Sequence, residues 1–432
     1  MRPIIIVKCY SSAVNYIHDI RALGYEPVLL EPYIADEALR AEIREDYDRE
    51  YRLNGDVRPR VITEKASYGE TLEMIRALDP LLILPGCDNG IYLSLRLSND
   101  LGLKSNAFAD YAGMRKKYQM QMALRDAGLN YMPTDILHAE SEAVSFFHHQ
   151  GGRAVVLKIS EGSGTAGVRI CDTEAEVTSA YRGLEELRRS RGRDGEVLIG
   201  QRYAEGPEYA VDTISCAGRH VALYGWRYSK HTLPDYATIY DRTVYFSPDE
   251  PAYTELIDYV FRVLTALRIQ YGPVHTEVIQ TADGPVLVEV NCRPGGGSQK
   301  YTFQDKVMQE HETMVALHSY LLEPEEFFRR YPEKMHLKQP AAQKDIILRR
   351  EIYVKKVTIS EACGNLPTFA YAFHHGEHRL YPKTTDLSST GGTVYLTGPD
   401  ETQIGKDLDY INWLESEYPE RLFQVQESSE GR

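Results

Sequence analysis

Residues 285–297 read P-V-L-V-E-V-N-C-R-P-G-G-G, and a second acidic segment, G-P-V-H-T-E-V-I-Q at 272–280, comes just before them. In an extended chain side chains alternate, so Glu289 and Asn291 share a face opposite Val286, Val288 and Val290. By the same rule His275 and Glu277 lie together. Asp283-Gly284 between the two runs is a hairpin signal, and a three-residue loop over 282–284 sets Glu277 directly opposite Glu289. Two carboxylates and an amide oxygen then converge, and they repel one another unless a hard cation sits among them. A few hard oxygen donors suit Mg²⁺, which also keeps waters and substrate phosphates. Cross-strand acidic pairs also occur on plainly solvated sheet faces. The next residues tip the balance: Arg293 follows Asn291 by two, and Gly295, Gly296 and Gly297 expose backbone amides. A guanidinium and a nest of N–H groups beside a metal form a phosphate or oxyanion site.

Working outward, the N-terminal part alternates strand and helix. Ile4, Ile5, Ile6 and Val7 read as a buried strand, 13–23 as an amphipathic helix, 27–30 as a second strand, 68–78 as a helix and 81–84 as another strand. This βαβ rhythm implies a parallel sheet with loops gathered at its carboxyl edge, where Ser11, Ser12, Asp88 and Asn89 fall. Ser11 and Asn89 read equally well as helix caps. A single helix is expected over 114–127, carrying Arg115, Lys116 and Lys117. From 133 to 290 strands and helices mix in an α+β pattern, and the region from about 340 onward is richer in strands.

Composition excludes several classes. With 432 residues, 43% apolar and 26% charged, the chain has room for two to four domains of ordinary globular type. The early apolar run is too short for a signal peptide or a membrane span. Cys9, Cys87, Cys171, Cys216, Cys292 and Cys363 lie far apart, with neither disulfide-like nor zinc-like spacing, which fits a reducing cytoplasm. A net charge of −14 argues against non-specific nucleic-acid binding. His148-His149 and His374-His375 read as surface histidines. Cys292 points away from Asn291 and reads as packing. Trp226 and Lys230 read as sheet packing and a solvated lysine before they read as pocket residues.

A nucleotide constellation stands upstream. Lys158 sits within the apolar strand A-V-V-L-K-I-S, and E-G-S-G-T-A-G-V follows at 161–168. Small residues there let amides approach a phosphate, although tight surface turns look alike, and no G-K-[ST] makes it a Walker loop. The run V-L-I-G-Q-R-Y-A-E-G-P-E-Y-A-V-D joins two strands through a link that can face an adenine edge, with Glu208 placed for a ribose hydroxyl pair.

The order of Lys117, Lys158 with its glycine loop, Q-R-Y-A-E-G-P-E, H-T-E and E-V-N-C-R-P-G-G resembles the ATP-grasp superfamily of carboxylate–amine ligases. V-K-C-Y-S-S, G-C-D-N-G, L-G-L-K-S-N and H-T-E make it similar to the L-amino-acid ligase branch, of the bacilysin-synthase and carnosine-synthase type. The resemblance spans residues 1–325, and S-S-T-G-G-T-V-Y-L-T-G-P-D is similar to that branch's extra domain. It implies a Rossmann-like N-terminal (pre-ATP-grasp) domain over 1–105, a small ATP-grasp subdomain over 106–200, a large one over 201–325 and a strand-rich extension over 326–432.

The resemblance also implies roles. Lys117 binds the α-phosphate and Lys158 the α- and β-phosphates; Ser163, Gly164 and Gly167 belong to the loop that closes over the β- and γ-phosphates. Gln201, Arg202 and Tyr203 form the adenine hinge, where the family usually has glutamates, and Glu208 holds the ribose. Glu277, Glu289 and Asn291 ligate Mg²⁺, or Mn²⁺ in its place. Arg293 and the glycine amides, Gly296 among them, stabilise the acyl-phosphate and tetrahedral intermediate, while His275 orients the intermediate or accepts a proton. The implied reaction joins an amino-acid carboxylate to the amine of another amino acid, releasing ADP and phosphate, as in dipeptide or peptide-antibiotic synthesis. The cofactors are ATP and the metal, and the expected form is a cytoplasmic homodimer without nucleic-acid or membrane partners. The rival within the fold is a carboxylase or purine-biosynthesis ligase activating bicarbonate or formate.

Overall fold

Ile4, Ile5, Ile6 and Val7 are completely buried, as a strand covered on both faces requires. In the computed structural model, which describes residues 2–37, 41, 44, 59–160, 167–190, 196–232 and 238–425, they form the strand Pro3–Val7 of a four-stranded parallel sheet. Its order is Arg60–Thr63, Glu26–Glu31, Pro3–Val7, Leu82–Pro85. Chain order reverses at Pro3–Val7, so the loops after it and after Leu82–Pro85 lie side by side at the carboxyl edge. They touch backbone to backbone, since a Cβ on Gly86 would fall 2.6 Å from Cys9 Cα.

A four-stranded antiparallel sheet follows, ordered Thr134–Leu137, Leu198–Arg202, Val155–Ile159, Val168–Cys171. Helices Glu140–His149 and Glu174–Ser190 cover one face through Phe146, Phe147, Val177 and Leu184. The other face of the sheet carries Lys158.

The largest sheet has eight strands in the order Gly284–Asn291, Gly272–Thr281, Glu208–Cys216, Arg219–Thr232, Thr238–Phe246, Ala341–Asp345, Thr393–Thr397, Phe369–Phe373. It draws strands from both the 201–325 and the 326–432 segments in one hydrogen-bonded array. Helix Thr254–Ala266 packs under it through Ile257, Val260 and Leu264, against Val274, Val278, Leu287 and Val290. A three-stranded sheet (Arg379–Tyr381, Ile352–Val357, Phe423–Val425) and helix Glu401–Glu417 complete the C-terminal core. Among the described residues no helix is long and apolar enough to cross a membrane.

Two local expectations need correction. The hairpin turn is the two residues Ala282-Asp283, because Thr281 pairs with Gly284, and that register alone would set Glu277 opposite Val288. A bulge at Val288 takes up the difference, so Glu277 does face Glu289 and His275 faces Asn291. The extra residue breaks strict alternation: Leu287 and Val290 enter the core, while Val288 turns toward the cleft. The second correction concerns the expected helix over 114–127, which is two helices, Tyr111–Arg115 and Lys117–Asp126. Between them Lys116 is extended (φ −95°, ψ 112°).

Candidate active site

The open face of the eight-stranded sheet, the small antiparallel sheet and the edge loops of the parallel sheet enclose a cleft of ≈ 1370 Å³. Lys117, Lys158, Gly167, Gln201, Arg202, Tyr203, Glu208, His275, Glu277, Glu289, Arg293 and Gly296 all line it. Ser163 and Gly164 lie outside the described residues. Asn291 is buried behind the lining, where its Nδ2 donates to Glu289 Oε1 at 2.8 Å.

The break at Lys116 starts a helix at Lys117 and buries that side chain, whose ammonium meets Glu289 Oε2 at 2.5 Å. Burial would raise the Glu289 carboxyl pKa, but Lys117, the Asn291 amide and Lys158 outweigh it and hold the value at about 2. Lys158, buried in its strand, is pushed down to about 8, first by burial and then by the like charge of Lys117. Glu208 accepts from Lys230 at 2.6 Å; burial nonetheless raises its pKa, only partly opposed by that ammonium. Lys230 is therefore a cleft residue rather than a solvated surface lysine. Trp226 likewise lines the cleft while packing on Tyr245 and His275.

His275 is held from both ring nitrogens. Its Nδ1 lies 2.8 Å from Asp212 Oδ1, and its Nε2 lies 3.4 Å from Glu277 Oε1. Burial would depress its pKa, yet Asp212 and Glu277 raise it to about 10. The two carboxylates flanking the ring favour its protonated form.

Arg293 makes a two-pronged ion pair with Asp88, Nε to Oδ1 at 3.1 Å and Nη2 to Oδ2 at 3.2 Å. This pair ties the metal-type hairpin to the parallel-sheet edge. The glycine run divides in function. Gly295 N–H donates to the buried Glu312 carboxylate (3.0 and 3.2 Å), and a Cβ there would sit 2.8 Å from Asp212 Oδ2. Gly295 is therefore structural, whereas Gly296 lines the cleft with open space where a Cβ would be. Ser11 Oγ accepts from Ser298 N and Ser12 Oγ from Gln299 N, while Asn15 clasps Gln299 O and Tyr301 N. Ser11 is thus a clamp on the glycine run and not a helix cap; Tyr10 holds the cap position.

At the end of the strand Leu198–Arg202, Arg202 N donates to Pro133 O and Tyr203 N to Ala154 O. Ala204 N–H has no partner among the described residues. Gln201 is buried with its Nε2 on Thr134 Oγ1, and the Arg202 side chain turns out to Gln150. Sequence reasoning assigned no role to Asp212 or Glu312. Asp212 had a signal, an acid inside the apolar strand Y-A-V-D-T-I-S, whereas Glu312 had none. Cys292 is packing as expected: burial drives its thiol up to about 12.

The cleft is thus walled by two sheets, with buried lysines facing a cross-strand carboxylate pair. Residues 152–301 match the ATP-grasp domain family, and the fold of the whole chain is that of solved ATP-grasp-type structures. Among curated relatives it is similar to dapdiamide A synthase of Enterobacter agglomerans, 26% identical with 96% of each chain covered. It is also similar to the L-arginine-specific L-amino acid ligase of Bacillus subtilis, 25% identical over 46% of this chain and 48% of that one. The solved L-amino acid ligase of Bacillus licheniformis shares the fold at a TM-score of 0.74, with 15% identity and 95% and 97% of the two chains covered.

Proposed function

We propose that this enzyme joins the carboxylate of one amino acid, or amino-acid-like acid, to the amine of another through an acyl-phosphate, forming ADP. The observation that carries the reading is a single cleft holding Lys158, the Lys117–Glu289 pair, the Glu277–His275 pair and Arg293 beside Gly296. In this reading Lys117 and Lys158 hold the α- and β-phosphates, and Gly167, with Ser163 and Gly164, belongs to the phosphate cover. Glu208 and Lys230 take the ribose. Gln201, Arg202 and Tyr203 form the adenine wall, and the unpartnered Ala204 amide supplies a donor to the base edge.

The donor set at Glu277, Glu289 and the Asn291 amide is all hard oxygen, and both carboxylates already attract cationic side chains, so it fits Mg²⁺, or Mn²⁺ in its place. Such an ion neutralises phosphate charge when bound. The substrate carboxylate attacks the γ-phosphorus and ADP leaves; the amine then forms the C–N bond as the acyl C–O bond to phosphate breaks. Arg293 and the Gly296 amide are the donors for the negative charge that develops in both steps, while His275, held between Asp212 and Glu277, orients the groups around them. No protein nucleophile is required.

The same reading divides the chain at 1–105, 106–200, 201–325 and 326–432, and makes the enzyme a homodimer in a reducing cytoplasm, in keeping with six free cysteines. The test is phosphate release from Mg·ATP against amino acids singly and in pairs, with mass spectrometry of the active mixtures. Release that needs two amino acids and yields their summed mass less water is the expected result. Release triggered by bicarbonate alone would overturn it.

A further inference from the structure

The floor of the cleft continues beyond Gly297 onto the C-terminal strands, where Gln343, Asp345, Thr393 and Phe373 line it. Asp345 is only 5% exposed. Thr393 Oγ1 donates to its Oδ1 at 2.7 Å, while Oδ2 has no hydrogen-bond partner and the carboxylate forms no ion pair among the described residues. Its neighbour Lys344 donates to the backbone oxygen of Asp345, and its ammonium otherwise sits 2.7 Å from both Asp241 and Glu415. Burial raises the Asp345 pKa to about 6, opposed only in part by the Thr393 hydrogen bond and the more distant charge of Lys344.

A carboxylate enclosed without a cation is costly unless a ligand completes it. Its position says which ligand. Gln343 Oε1 lies 3.4 Å from where a Cβ on Gly297 would stand, and Asp345 is two residues further on the same strand face, about 7 Å along. Resting on the ligase reading above, we infer that Asp345 is a specificity residue that receives a cationic amino group carried by a substrate several bonds from its reacting atom. The substrate class is a diamino acid or similar ω-amino compound, its stem lying along the apolar wall that includes Phe373.

The experiment compares substrates that differ only by a terminal amino group: ornithine against norvaline, and lysine against norleucine, each paired with a common set of amino acids. Phosphate release and product mass are read for wild type, Asp345→Asn, which preserves an acceptor for Thr393, and Asp345→Glu. Wild type is expected to prefer the amino-bearing member. Asp345→Asn should raise KM for that member about tenfold to a hundredfold, with KM for ATP and for the neutral member within about twofold. Asp345→Glu should retain the preference. An equal loss on charged and neutral substrates, or a wild type indifferent to the terminal amino group, would overturn the assignment. Wild type silent on every amino-acid pair would instead overturn the ligase reading, on which this one depends.

Discussion

Glu289 accepts from Lys117 and from Asn291 at once, and Glu277 stands opposite it against His275. Each carboxylate has a cation at one oxygen and keeps acceptor capacity for a second. Replacing Glu289 with Gln removes a full charge from this cluster while keeping its shape. The variant is expected to lose at least about 10³-fold in ADP formation, read as phosphate release, with its thermal transition retained. Near-normal turnover would sink the metal role. The Arg293–Asp88 pair acts at the same scale but ties the hairpin to the parallel-sheet edge, so its loss reaches further than one contact.

At the scale of elements, a one-residue interruption decides which lysine reaches the cleft. A continuous helix would place Lys116 and Lys117 about 100° apart on its surface without choosing between them. Because Lys116 is extended, the second helix begins at Lys117 with that ammonium buried against Glu289. Lys117→Met should therefore cost about a hundredfold in kcat/KM for ATP, whereas Lys116→Met should stay within about twofold. Steady-state kinetics on the two single variants settle it, and equal losses would contradict the geometry. The bulge at Val288 is the matching device in the hairpin: it restores the acid pair that a two-residue turn would have slipped.

At the scale of the molecule, two features tie the parts together. Strand Ala341–Asp345 pairs directly with Thr238–Phe246, so the C-terminal segment completes a sheet rather than adding a detachable unit. A chain ending at residue 325 would expose that edge together with Tyr245, and is expected to aggregate or unfold without a cooperative transition in calorimetry. The second tie is His311, whose ring nitrogens lie 2.8 Å from Asp19 and Asp305; Asp19 also accepts from Thr313 and meets His18, and the ring packs against Tyr301. Burial opposes its protonation, but the two carboxylates win and raise its pKa to about 9. A raised folded-state value stabilises fully below the unfolded value near 6.5 and is lost as pH climbs through 9. Accordingly His311→Gln should lower Tm by several °C at pH 6, with the gap narrowing toward pH 10. A gap independent of pH would mean that packing alone is at stake.

Much of this was legible in one dimension because the chemistry is periodic. A strand's two-residue repeat puts Glu289 with Asn291 and His275 with Glu277 whatever surrounds them, and Lys158 inside an apolar strand is conspicuous because burying a lone ammonium is unfavourable. Those local regularities made the order of motifs, the facing acid pair and the buried lysines legible. What only the tertiary structure decided depends on contacts between residues far apart in the chain. Asp212 becomes significant only when its strand pairs with that of His275, which sets a carboxylate against the imidazole. Gly295 is separated from Gly296 only by the approach of Glu312, and Ser11 is drawn from a helix cap to a clamp by Ser298. Asp345 joins the cleft only because the last strands extend the central sheet. Periodicity assigns a residue to a face, but its charge state and its reach are set by whatever long-range packing brings within a few ångströms.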